Sequence, residues 1–413
     1  MEKGPALRLF QGLGVEAEYM IVDRESLAVR PIADILLRDA RGEIVNELED
    51  GEIAYSNELV KHLVELKTNG PAGDGAGLDA LFAKGVEAMN ERMAPRGAML
   101  LPTAMHPFMD PKEETKLWDH GDLEIYETYH RIFDCRRHGW ANLQSLHLNL
   151  PFGSDAEFGA LHAAVRVALP LIPALAASSP VMEGRLTGSM DTRLEVYRDN
   201  QKKVPSIAGK VIPEDVFTQA GYRAKILEPM YRDMASLDPD EIIRDEWLNS
   251  RGAIARFDRN TIEIRLIDTQ ECPAMDNAVA WAVVYLVRGL VEGFFSPPAA
   301  LRKFPTDLLA EVLWSAARKG GETVISGREY QGLFGLDGSA RSGAKVWRLL
   351  AGSLAERYPE FRAVLPRLEM LTGHGTLAER IVRGIGEKGG RDDIARVYRE
   401  LAGCLAHNVP YMP

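Results

Sequence analysis

Three stretches of this chain alternate apolar and polar residues with a period of two. The residues at the polar positions limit what the chain can fold into. In "GLGVEAEYMIVD" (12–23), Glu16 and Glu18 fall on one side of a strand, and Val15, Ala17, Tyr19 and Ile21 fall on the other. In "LQSLHLNLPF" (143–152), Ser145, His147 and Asn149 oppose Leu146, Leu148 and Leu150. In "TIEIRLID" (261–268), Thr261, Glu263 and Arg265 oppose Ile262, Ile264 and Leu266. Each strand buries an aliphatic face, as antiparallel sheets with one side in water commonly do. A merely solvated face, however, would be rich in Lys, Thr, Ser and Gln. Like charges side by side on a strand are unfavourable unless water or a cation meets them. Carboxylates with one imidazole are good ligands for Mg²⁺ or Mn²⁺. An arginine beside them suits a phosphate that the metal also touches.

A fourth stretch, "SNELVKHLVELKT" (56–68), adds Glu58, His62 and Glu65. On a helix these three would share a face at i, i+4 and i+7. On strands, a bend must lie between the glutamates to turn both inward. Periodicity admits either state. His62 is read as a surface residue. Glu16, Glu18, Glu58, Glu65 and Glu263 are then five carboxylates that can converge. Such a cluster calls for divalent metals and a polyphosphate substrate.

The rest of the chain narrows the class. A formal charge of −11 over 413 residues argues against a nucleic-acid surface. Three widely spaced cysteines (Cys135, Cys272, Cys404) make neither a disulfide framework nor a zinc site, and fit a reduced, cytoplasmic protein. The opening residues lack the apolar run of a signal peptide. The most apolar segment, from Ala278 to Phe295, is interrupted by Arg288 and Glu292. It reads as a buried helix capped at Asp276 or Asn277, not as a membrane span. Helices are predicted over 78–93, over "LEIYETYHRIFDCR", and from Ser154 with a break near Pro170. "AIARFDRNTIEIRLIDTQ" is taken as strand. Residues 183–213 form a Gly- and Pro-punctuated connection carrying Arg185, Arg193 and Arg198. "GIGEKG" (384–389) matches a dinucleotide-type pattern but follows a helix instead of a strand. Strands come early and helices late, which predicts an α+β fold: a sheet-containing core over 12–275 and a helical part over 276–413, within one domain.

These motifs together resemble the glutamate–cysteine ligase superfamily, in its type 2 or carboxylate–amine ligase branch. "GVEAEYMIVD" resembles that branch's opening GxExEF-type strand, and "ELVKHLVELKT" the next segment, which ends in a metal-binding glutamate. "LPTAMHPF" is similar to its GTHPF segment, and "LPLIPALAASSPVMEGRLTG" to its helix and Ser-Ser-Pro turn. "TIEIRLIDTQECPAMDNAVAWAVVYLVRGLV" resembles its Thr-Val-Glu-Val-Arg strand and following helix. The resemblance implies the curved antiparallel sheet of glutamine synthetase, whose concave face forms a funnel for ATP and metals. It further implies ATP-dependent amide formation between an amino-acid carboxylate, usually glutamate, and an amine, through an acyl phosphate. By resemblance Glu16, Glu18, Glu58, Glu65, His147 and Glu263 fall at metal-ligand positions, and Arg265 at the γ-phosphate. Arg185 and Arg198 are candidate phosphate contacts on a lid formed by 183–213. His106 and Asn149 are candidate substrate contacts. A homo-oligomer is also implied. One departure leaves the amine open. Where the branch has His-Val-His-Val-Gly, this chain has "LHLNLPF", and its His-x-Asn resembles the proteobacterial glutamate–cysteine ligases. A small-molecule kinase of the same fold, or a non-catalytic metabolite binder, are the competing classes.

Overall fold

The computed structural model describes residues 7–413 apart from 74, 76 and 387. The strands are β1 (Gly14–Asp23), β2 (Glu47–Asp50), β3 (Ile53–Asn57), β4 (Leu63–Thr68), β5 (Ala98–Leu101) and β6 (Ser145–Pro151). They continue with β7 (Val181–Met182), β8 (Arg185–Leu186), β9 (Ala253–Arg256) and β10 (Thr261–Asp268). Eight of them make one open antiparallel sheet in the order β2-β3-β4-β1-β6-β10-β9, with β5 paired to the second half of β1. β7 and β8 form a separate hairpin. The stretch 56–68 is therefore strand, bend, strand, with Glu58 in the bend after β3 and Glu65 within β4. The long strand expected after residue 253 is a hairpin, turned between β9 and β10.

The helices that frame the sheet begin with α1 (Leu78–Met93), α2 (Leu123–Phe133), α3 (Asp155–Ala168) and α4 (Thr192–Tyr197). Towards the carboxyl end follow α5 (Pro273–Val291), α6 (Thr306–Lys319), α7 (Gly343–Arg357), α8 (Leu365–His374), α9 (Leu377–Ile385) and α10 (Arg391–His407). Local chemistry sets several of these ends. The Ser154 hydroxyl accepts the Glu157 N–H at the start of α3, and the helix gives way to a single 3₁₀ turn at Leu169–Leu171, around Pro170. α5 starts earlier than the expected cap, with Pro273 in its first turn, a position where a missing N–H costs nothing. Asp276 is not its cap. Its carboxylate accepts the Gln270 N–H at 2.7 Å and faces the Tyr19 hydroxyl. "GIGEKG" begins in the last turn of α9, and its residue 387 lies outside the described residues.

The aliphatic side of the sheet (Ala17, Tyr19, Leu146, Leu148, Ile262, Ile264) is fully buried under α1, α3 and α5, in one cluster that runs on through α6, α7 and α8. α5 is long and apolar enough to cross a membrane, but 78% of its apolar window is buried inside the molecule, so it is the central core helix. A second cluster lies on the other side. Met20 and Val22 share a face with Glu16 and Glu18, yet they are buried with Leu101 against α9 and α10. The carboxyl-terminal helices thus close one end of the polar face and leave the acidic end as a cavity. The tail is held there by Arg380, which pairs with Glu271 at 2.5 Å and donates to the Tyr411 carbonyl, both charges being fully buried.

Candidate active site

Register brings the polar residues of four strands together. Glu16 lies opposite Lys67 on β4 and His147 on β6, and Glu18 lies opposite Glu65. Asn149 faces Glu263 across the β6–β10 pair, and Ser56 faces Glu65 across β3–β4. Directly opposite residues share a face, so the acids that alternation had aligned strand by strand form one patch. A bulge between Ile264 and Ile267 then shifts β10 by one residue. This returns Asp268, opposite Ser145, to the polar face, which strict alternation from Glu263 would not.

Within the patch, His147 Nδ1 is 3.1 Å from Glu16 Oε2, and Nε2 is 2.9 Å from the Ser145 hydroxyl. That hydroxyl and the Ser145 N–H both donate to Glu18, at 2.9 and 2.7 Å. Asn149 donates its amide to the other oxygen of Glu16 at 3.0 Å. Burial alone would lower the His147 pKa, but the hydrogen bond to Glu16 and the charges of Glu18 and Glu263 raise it to about 9. Burial would raise Glu263, but Arg265, His147 and Arg256 hold it down to about 2. Arg265 donates to Glu263 at 2.7 and 3.0 Å. Arg256 reaches the other carboxylate oxygen at 3.3 Å and also bonds Asp258.

Other acids are not compensated in this way. Burial and repulsion from Glu16 push Glu65 up to about 8, although Lys67 lies 3.7 Å away. Burial, then Glu18 and Glu65, push Glu58 well above the carboxylate range. The crowding of these acids bears on the metal expectation. Oxygen and nitrogen donors of Glu16, His147 and Glu263, and of Glu18, Glu65 and His147, form two groups whose atoms lie within 4.8 Å of one another. Hard carboxylates with one imidazole fit Mg²⁺ or Mn²⁺. A further group, Asp34, Asp119 and His120, already holds the Lys61 ammonium, at 2.6 Å from Asp34 and 3.0 Å from Asp119.

The patch forms the floor of a cavity of about 330 Å³. A neighbouring cavity of about 380 Å³ shares Glu16, Lys67 and Arg259 with it and runs past the start of β1. Of the residues singled out in the sequence, Glu16, Glu18, Glu58, Glu65, His147, Glu263 and Arg265 line the first cavity, and Asn149 lines the second. Three others are not brought there. Arg185 is exposed on β8 and pairs with Glu183 at 3.1 Å. Arg198 stacks over the Trp314 ring at 4.8 Å. His106 is buried with both ring nitrogens used by backbone: Nε2 is 2.7 Å from the Leu27 carbonyl, and Nδ1 accepts the Phe108 N–H at 3.1 Å. His62 is not on the surface. It is fully buried, with Nε2 2.7 Å from the Ala141 carbonyl.

The segment 183–213 does reach the site, through a different arginine. Arg193, Tyr197 and Gln201, spaced by four residues, line the same cavity as the acids. Arg193 pairs with Asp268 at 2.6 Å, and Asp268 also accepts the Ser178 N–H and the Ser179 hydroxyl. Helical spacing on 192–201 could have found this face. The role of Asp268 depended on the bulge, and nothing in the pattern of β10 announced it.

Comparison with known proteins places this geometry. The family profile described as Glutamate-cysteine ligase family 2 (GCS2) matches residues 12–400. A protein of Archaeoglobus fulgidus, described only as uncharacterized, is 35% identical over 97% of this chain and 100% of its own length. A protein of Sorangium cellulosum bearing the name "Putative glutamate–cysteine ligase 2" is 28% identical over 77% of this chain and 78% of its own. The crystal structure of the Francisella tularensis glutamate–cysteine ligase in complex with AMP superposes with a TM-score of 0.61 at 12% identity, covering 97% of this chain and 90% of that one. The last likeness is one of fold, and the fold is the glutamine-synthetase-like one that the motifs implied. Fold, acidic patch and family profile agree: the chain belongs to glutamate–cysteine ligase family 2, a family of carboxylate–amine ligases.

Proposed function

We propose that the protein is an ATP-dependent carboxylate–amine ligase that activates an amino-acid carboxylate, glutamate by preference, as an acyl phosphate and couples it to an amine. The observation that carries this reading is the convergence of Glu16, Glu18, Glu65, Glu263 and His147 on one buried face, beside Arg265. Those five residues would hold divalent metal, Mg²⁺ or Mn²⁺, which when bound neutralises phosphate charge and polarises the phosphoryl group being transferred. Arg265, held by Glu263, presents its guanidinium to the cavity, where it can bind a phosphate oxygen. No nucleophilic side chain is required, because phosphoryl transfer needs chiefly positioning and charge stabilisation. In the balanced reaction the carboxylate oxygen attacks the γ-phosphorus and ADP leaves. The amine nitrogen then forms the C–N bond as the C–O bond to phosphate breaks, and phosphate departs with the electron pair. Residues 183–213 would be the wall that excludes water during these steps, with Arg193 and Tyr197 towards the cavity. The AMP bound by the Francisella tularensis relative supports an adenine nucleotide as the phosphoryl donor. Free thiols at Cys135, Cys272 and Cys404 support a cytoplasmic setting.

The test is ADP and phosphate release with Mg²⁺, ATP, glutamate and a panel of amines that includes cysteine. Release that needs both acid and amine, with an amide as product, is expected. A stable phosphorylated acceptor would mean a kinase, and no turnover with any carboxylate would mean a binder.

A further inference from the structure

The cavity above the acids is lined by two kinds of side chain. Beside the charged groups, part of its wall is made by Tyr126 and Tyr129 of α2 with Trp140 and Trp247. The Tyr129 ring lies 5.2 Å from that of Trp140 and 5.9 Å from that of Trp247, which fixes both indoles. Tyr126 is anchored by the Asn57 amide at 3.0 Å. Leu59 and Leu63 extend the apolar surface, and Trp140 Nε1 is buried with no hydrogen-bond partner. Glu58 lines the same cavity, and burial first and then the charge of Glu58 raise the pKa of the Tyr126 phenol. The neighbouring cavity is built differently: among the described residues its lining contains no aromatic side chain and includes Gly12, Gly14, Asn69, Lys67 and Arg259.

A cavity that joins carboxylates to an aromatic wall suits an amphipathic ligand. An ammonium head is attracted to carboxylates and to ring faces, whereas the body that follows it must be able to bury against aromatic rings. A small polar thiol such as cysteine leaves that wall uncovered. We propose that Tyr126, Tyr129, Trp140 and Trp247 form the acyl-acceptor subsite, and that the acceptor is a primary amine carrying an aromatic or bulky apolar group. The assignment rests on the ligase reading above. The amine enters head first, so its nitrogen, having released its proton to water, faces the activated acyl carbon. The C–N bond forms as inorganic phosphate leaves, and the departing phosphate takes the second nitrogen proton.

The experiment compares kcat/KM for ADP formation with glutamate and either 2-phenylethylamine, methylamine or cysteine, in the full-length protein and in Trp140→Leu, Trp247→Leu and Trp247→Phe. One well-filled apolar group is worth roughly tenfold or more in kcat/KM. 2-Phenylethylamine is therefore expected to exceed methylamine by at least about tenfold. The leucine variants should bring that ratio below about threefold, and Trp247→Phe, which keeps a ring face, should restore most of it. Calorimetric titration of 2-phenylethylamine without ATP supplies a readout independent of turnover, with saturable binding that the leucine variants weaken. Equal rates with all three amines would overturn the acceptor assignment and leave the ligase standing. Leucine variants that lose affinity for AMP while keeping the amine ratio would overturn it in favour of a nucleotide base on this wall. If no amine supports ADP release, the ligase reading itself has failed, and absence of saturable amine binding in the titration then overturns this proposal as well.

Discussion

The crowding of acids on the sheet makes a quantitative prediction at Glu65. Its carboxyl is pushed from an ordinary 4.5 to about 8, by burial first and then by Glu16. At pH 7 the unfolded chain carries it ionised while the folded chain holds the proton, so folding takes up a proton. The cost is about 1.4 kcal/mol for each pH unit above 4.5, or roughly 3 kcal/mol at pH 7. The sign follows: stability associated with this group is complete below pH 4.5 and is lost as pH rises towards 8. Glu65→Gln removes the penalty and keeps an oxygen to accept the Ser56 hydroxyl, which Glu65 holds at 2.8 Å. With an unfolding entropy of about 2.1 cal/mol/K per residue, a chain of 413 residues converts roughly 3 kcal/mol into a rise of about 3–4 °C. Thermal melts in EDTA at pH 5, 7 and 8.5 should show the variant more stable than wild type at pH 7. The difference should shrink to about 1 °C at pH 5. Added Mg²⁺ or Mn²⁺ should close most of the gap, because a ligand at 100 times its Kd stabilises by about 2.7 kcal/mol and the variant has lost a donor. Equal melting points without metal would refute the charge crowding, and equal stabilisation of both proteins by metal would refute the metal assignment.

Other outcomes follow from the same geometry. Glu263→Gln should lower kcat about 10²–10³-fold, since it removes a carboxylate between Arg265 and Arg256 on the reacting face; unchanged ADP release by a folded variant would remove Glu263 from the site. Gly139→Ala should raise KM at least about tenfold, because its Cβ would press on Asn200 and lie 2.7 Å from the Val196 carbonyl, displacing the segment that carries Arg193; unaltered kinetics would mean that this wall does not position substrate. His62 is held neutral, its pKa lowered from 6.5 to about 4 by burial, so its stability contribution is present above pH 6.5 and is lost on acidification towards 4. His62→Gln, which keeps a donor for the Ala141 carbonyl, should therefore lose about 2 kcal/mol less than wild type between pH 6.5 and 5 in chemical denaturation; parallel pH profiles would show that His62 does not resist protonation.

Alternation along β1, β6 and the first half of β10 told which side chains share a face before any fold was known. Successive residues of a strand point to opposite sides whatever the surroundings. Glu16, Glu18, His147, Asn149 and Glu263 were legible for that reason, and so was the aliphatic surface that α5 covers. The same local rule misled or fell silent wherever the chain left regular geometry. A bend after Asn57 turns Glu58 inward beside Glu65, and the bulge after Ile264 brings Asp268 round to meet Arg193. The resemblance pointed to Arg185 and Arg198, but only the packing of α4 against residues 138–141 and α6, with Asp268 to pair with, decided that Arg193 faces the cavity.

What the sequence determined by itself was parity: which residues stand together on each strand, and hence that a row of carboxylates must share one surface. Tertiary structure decided which part of that surface is a site. Met20 and Val22 have the same parity as Glu16 and Glu18, but α9 and α10, more than 350 residues further along the chain, cover the first pair and leave the second beneath a cavity. Parity is a property of neighbouring peptide units, whereas access to a face depends on what distant segments bury against it.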